Sequence, residues 1–109
     1  MPGRSDIVRG TLDMLILKTL SLQRLHGLGI SRRMEQITEG TFQVKPGSLF
    51  PALHRLEQEG WIAGSWGESD NNRHAKFYEL TAAGRRRLGE EKQNWAQALA
   101  AIDKILEAT

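Results

Sequence analysis

The apolar positions of this chain change period along its length, and each change marks an element. Val8, Leu12, Leu15, Ile16, Thr19 and Leu20 fall on one face of a helix expected from about Asp6 to Arg24. Leu17 and Leu22 widen that face beyond what a small core needs. Either a second subunit covers the excess, or the helix is fully central. His26-Gly27-Leu28-Gly29 breaks the pattern, and a second helix is expected from Leu28 or Gly29 to Thr38, with Ile30, Met34 and Ile37 as its stripe. His26 reads as a turn or helix-capping residue. After the Glu39-Gly40 turn, Thr41-Phe42-Gln43-Val44 alternates like a very short strand.

Pro46 suits the first position of a third helix, where its missing N–H has no partner to lose. Leu49, Leu53 and Leu56 make the apolar stripe and Gly60 is the stop signal. If the helix starts at Pro46, Pro51 falls past the first turn and bends the axis; if Ser48 caps, Pro51 sits inside that turn. Trp61–Glu68 and Ala75–Leu80 read as two strands joined by Ser69-Asp70-Asn71-Asn72-Arg73-His74, a turn rich in residues that tolerate unusual backbone angles. Thr81 caps a last helix from Ala82 to about Glu107, close to 40 Å long at ~1.5 Å per residue. The pattern predicts a mainly α fold with a small β-hairpin: a winged helix-turn-helix over residues 1–80, then a long C-terminal helix over 81–109.

The two faces of the third helix differ in chemistry. Opposite the leucines stand Ser48, Pro51, His54, Arg55 and Gln58. A short helix with small polar, imidazole and guanidinium groups on its free face is what the DNA major groove accepts; the other reading is a helix that only packs. The hairpin tip is a DNA-contacting wing or a solvated turn. Arg32 and Arg33 lie off the stripe of the second helix, either within reach of phosphates or simply solvated. On the last helix, Leu88, Trp95, Leu99, Ile102 and Leu106, broadened by Ala98 and Ile105, make more apolar surface than so short a chain can cover. That stripe, with Leu12 of the first helix, is expected to form a homodimer seam; the alternative is packing within the single chain.

Composition narrows the classes. The 109 residues are 39% hydrophobic and 26% charged, which suits one small soluble domain with a modest core. No apolar run approaches the ~20 residues of a membrane span, and the N-terminus lacks a signal-peptide core. The expected location is therefore the cytoplasm. With no cysteine, there is no disulfide framework and no thiolate zinc site. The net charge is only +2, so distribution matters more than the total. From Arg73 to Arg87 the bases Arg73, Lys76, Arg85, Arg86 and Arg87 face one acid, Glu79. The three histidines, His26, His54 and His74, have no metal-ligand spacing, and neither a phosphate loop nor a nucleophile elbow is present. These absences argue against an enzyme, a metal site and a cofactor.

The run from Lys45 through Gly47-Ser48-Leu49-Phe50-Pro51-Ala52-Leu53-His54-Arg55-Leu56 to Ile62 resembles the recognition segment of the PadR family of bacterial transcriptional regulators. The likeness continues through Trp66-Gly67-Glu68 and Lys76-Phe77-Tyr78-Glu79-Leu80-Thr81-Ala82-Ala83-Gly84. Upstream, Gly10-Thr11-Leu12-Asp13-Met14-Leu15-Ile16-Leu17 and His26-Gly27-Leu28-Gly29-Ile30 share it. Two departures stand out: Leu28 and Phe50 occupy positions where the family commonly has tyrosine, so contacts of those hydroxyls are missing. The resemblance implies a dimeric repressor of the short type, with a single C-terminal helix, on a pseudo-palindromic, AT-rich operator near its own or a neighbouring gene, often one for a transporter. It maps DNA contact onto Lys45, Ser48, Phe50, Pro51, His54 and Arg55, and onto Asn72, Arg73, His74 and Lys76 of the wing; Arg32 is a further phosphate candidate.

Two other classes of function stay open. One is a winged helix used purely for protein–protein contact, which predicts no salt-dependent DNA binding. The other is a small-molecule sensor: two copies of Trp95 across the seam would wall a slot for a planar apolar inducer, unless Trp95 serves only as interface core.

Overall fold

In the computed structural model, which describes residues 2–109 and their side chains from residue 10 onward, the expected order appears with one addition. The elements are α1 (Pro2–Leu22), β1 (Leu25–His26), α2 (Gly27–Ile37), α3 (Pro46–Gln58), β2 (Ile62–Glu68), β3 (His74–Leu80) and α4 (Ala82–Glu107). The addition is β1, which pairs antiparallel with β3 through Leu25–Tyr78 and His26–Phe77 and gives a sheet of order β1-β3-β2. Val8 lies outside the described side chains.

The strand expected at Thr41–Val44 does not form. Its backbone is tied to helices instead: Phe42 N–H donates to Thr38 Oγ1 at 3.0 Å, and Ser31 Oγ donates to the Val44 carbonyl at 3.1 Å. The alternation that predicted a strand is that of an extended loop held against α2.

His26 caps α2, its Nδ1 accepting from the Gly29 N–H at 3.0 Å, so this helix begins at Gly27, one residue early. In α3, Lys45 holds the cap position without a side-chain bond, and Pro46 is the first helical residue. Ser48 is therefore not the cap, and Pro51 stands inside the helix. The other end closes as a double-bonded left-handed turn. Gly60 sits at φ +77°, its N–H donates to the Glu57 carbonyl at 3.0 Å, and Trp61 N–H donates to Leu56 at 3.1 Å.

The core lies where α1, α2 and α3 meet the sheet. Ile16, Leu17, Ile30, Leu49, Leu53, Leu56 and Ile62 are fully buried, with Met14, Leu20, Met34, Tyr78 and Leu88 around them. Two expectations are corrected here. Leu17, expected to widen the face beyond a small core, is covered by the chain's own core. Leu88, assigned to the dimer seam, is 8% exposed and belongs to the same core, because the first turns of α4 pack on α1. Leu22, expected to exceed what a small core needs, is 52% exposed; Ile37, by contrast expected on the buried stripe of α2, is also 52% exposed.

Thr81 fastens the start of α4 to the turn after α3. Its Oγ1 accepts from Gly84 N–H at 3.0 Å and donates to the Gly60 carbonyl at 2.7 Å, while its own N–H donates to the Trp61 carbonyl at 3.1 Å. Gly84 lies so close to that carbonyl that a Cβ would overlap its oxygen. The architecture is a winged helix-turn-helix with a long C-terminal helix appended.

Candidate nucleic-acid interface

Burying Leu49, Ala52, Leu53 and Leu56 dictates which side of α3 is free. Lys45, Ser48, Phe50, Pro51, His54 and Gln58 are exposed. The predicted polar face is thus largely on the outside, with two qualifications. The Phe50 ring lies over Gly27, 2.8 Å from where a Cβ there would stand, so half of Phe50 serves to pack α3 on α2. Arg55 is only partly exposed, and its guanidinium is ion-paired to Asp13 of α1.

The hairpin stands beside this helix. Its tip is a turn closed by Asn72 N–H to the Ser69 carbonyl at 2.9 Å, with Asn72 at φ +57° and Ser69 N–H donating to Arg73 at 2.9 Å. An asparagine tolerates that left-handed position, which is what this loop length demands. Asn72, Arg73 and His74 are exposed at the tip. Lys76 differs: its Nζ donates to Glu57 Oε1 of α3 at 2.8 Å, and that hydrogen bond raises its pKa above the ordinary lysine value. Tyr78 behind it is shifted up by burial. Arg32 is exposed on α2.

The basic run from Arg73 to Arg87 is less free in space than in sequence. Lys76 meets Glu57; Arg87 lies 4.7 Å over the Trp61 ring and pairs with Glu90 and Glu91. Arg73, Arg85 and Arg86 remain exposed. A residue that sequence reasoning passed over stands out instead. Trp66 is 63% exposed on the hairpin and stacks on His74 at 4.8 Å, with 8° between the rings. In the sequence it carries two signals, its place in the Trp61–Glu68 strand and in the Trp66-Gly67-Glu68 run, and neither marks it as a site residue. The far face of the hairpin is braced by Arg24, 4.3 Å over Phe77 and bonded to Ser65 Oγ at 3.1 Å.

Among the described residues, the far half of α4 is only partly covered. Trp95, Leu99, Ile102, Ile105 and Leu106 are 41–76% exposed. Trp95 borders two shallow clefts along α1 and α4, of about 220 and 260 Å³. Leu12 is half-buried in a larger groove of about 490 Å³, which Leu15, Phe42, Val44, Lys45 and Ser48 also line. Among the described residues no cluster of side chains could hold a metal ion, and no helix is long and apolar enough to cross a membrane.

Residues 16–90 match the family model described as the transcriptional regulator PadR-like family. An uncharacterised protein of Lysinibacillus sphaericus is 33% identical over 104 residues, 95% of each chain. The solved structure of a transcriptional regulator from Clostridium thermocellum superimposes with a TM-score of 0.85 at 26% identity, covering 94% of this chain and 99% of that one. A PadR-like transcriptional regulator from Bacillus cereus gives 0.78 at 26% identity, covering 95% and 99%.

Proposed function

The chain belongs to the PadR-like family of transcriptional regulators, and from that premise we propose that it is a dimeric, sequence-specific DNA-binding repressor. It is a regulator and not an enzyme. The observation that carries the proposal is the free face of α3, with Ser48, Pro51 and His54 exposed along it and the Asn72-Arg73-His74 tip beside it. A helix presented in this way enters the major groove while the wing reaches the backbone. In this reading Ser48 and His54 meet base edges, Phe50 and Pro51 make apolar contact, and Lys45, Arg32 and Arg73 meet phosphates. Arg55 and Lys76 reach DNA only by leaving their carboxylates.

Residues 1–80 form the DNA-binding part and 81–109 the dimerisation helix, although Gly84 and Leu88 also complete the core. Leu12, Trp95, Leu99, Ile102 and Leu106 make the seam. The operator is pseudo-palindromic, near the chain's own gene or a neighbouring one such as a transporter gene, and the protein works in the bacterial cytoplasm. The exposed Trp95 between two clefts supports a second role, binding of a planar apolar inducer that favours one spacing of the two α3 helices over another.

Arg73→Ala tests the wing. Because a phosphate contact carries no base information, affinity is expected to fall alike on every duplex, and the slope of log affinity against log salt to shrink by ~0.9. Fluorescence anisotropy from 50 to 200 mM salt reads both. An unchanged slope would place the tip away from the phosphates.

A further inference from the structure

Two acids flank the face that α3 presents. At ~100° per residue around the helix, Arg55 and Glu57 stand on opposite shoulders of the face formed by Gly47, Pro51, His54 and Gln58. On one shoulder Asp13 of α1 holds Arg55; on the other Glu57 holds Lys76 of the hairpin. The pairs join residues 42 and 19 positions apart. Their side chains are 17–33% exposed, so both pairs are part-buried yet still open to solvent beside the free face of α3. The path of Lys76 is shaped by the backbone: a Cβ at Gly64 would overlap the lysine stem and stand 2.9 Å from Glu57 Oε2.

We propose that Asp13 and Glu57 are specificity-determining residues, intramolecular competitors that keep Arg55 and Lys76 from the phosphates of random DNA. The inference rests on α3 and the hairpin being the DNA-facing side. Binding to random sequence comes almost entirely from cations meeting phosphates. A cation already paired with a carboxylate adds little net charge there, and reaching a phosphate requires breaking a charge-assisted hydrogen bond. Base-edge contacts along the free face of α3 do not depend on those acids. Asp13 and Glu57 therefore lower random binding more than matched binding, and the ratio between the two rises. Both pairs are part-buried, so removing one partner also carries a stability cost that must be measured beside binding.

The test uses the full chain with Asp13→Asn and Glu57→Gln, singly and together, on a random-sequence duplex and on a duplex selected for tight binding. Each substitution is expected to tighten random binding several-fold and to steepen its salt slope by ~0.9 for the cation released. The selected duplex gains less, so the specificity ratio falls. Adding Lys76→Ala to Glu57→Gln, or Arg55→Ala to Asp13→Asn, should erase the gain, and thermal denaturation follows the fold in parallel. Folded variants that bind random DNA no better than the parent would overturn the proposal and leave the acids as struts. A variant that loses its fold together with its DNA binding would do the same, since the pair would then be structural. If the parent chain itself binds no duplex, the DNA-facing reading fails first and this inference falls with it.

Discussion

Replacing Gly84 with alanine is expected to destabilise the protein by about 2–3 kcal/mol, a large effect for one methyl group. The added Cβ would overlap the Trp61 carbonyl oxygen and stand 2.7 Å from Leu80 Cδ1. A flexible side chain could yield, but that carbonyl is backbone and already accepts from Thr81 N–H. Relief requires moving the start of α4 away from β2, which also strains the Thr81 bonds to Gly60 and Gly84. For a domain of this size the midpoint of thermal unfolding should fall by roughly 10–20 °C. Circular dichroism of Gly84→Ala against a control at Gly89, where a Cβ meets nothing, measures it. A fall of only a few degrees in both would show that α4 is not locked to the wing in this way.

The second large effect concerns the far half of α4. Leu99 and Ile102 are 45% and 47% exposed, so neither belongs to the buried core of the single chain. Burying such side chains against a second copy would contribute ~1.5–3 kcal/mol each when complete. The double change Leu99→Asp with Ile102→Asp is therefore expected to leave each chain folded while converting a dimer into monomers in sedimentation. Affinity for a two-half-site operator should then drop by about 10²–10⁴-fold, because the second half-site is no longer bound intramolecularly. A variant that sediments as the parent does would remove this stripe from the seam.

Much of this architecture was legible because periodicity reports burial. Leu49, Leu53 and Leu56 recur on one side of α3, and all three are buried. The caps were legible too, since His26 and Thr81 carry acceptors just before apolar helical runs. What escaped has physical reasons. A strand of two residues such as Leu25–His26 has no period to detect. The Thr41–Val44 alternation had one but no partner strand. Apolar periodicity also does not say which molecule covers a stripe, so Leu88 was placed in a seam when its own chain buries it. The pairing of Arg55 with Asp13 and Lys76 with Glu57 crosses elements distant in sequence, so runs of charge overstated the free basic surface. Trp66 is invisible as a site residue because a strand assignment does not say that the hairpin leaves it uncovered.

The claim at the centre of this account is that two α3 helices, related by a two-fold axis, read DNA. Selection of bound sequences from a pool of random duplexes tests it most directly. Enrichment of two inverted half-sites centred ~34 Å apart, one helical turn, is expected, with affinity that falls steeply as salt rises. A pool that yields no enriched sequence, with binding absent or indifferent to salt, would contradict it.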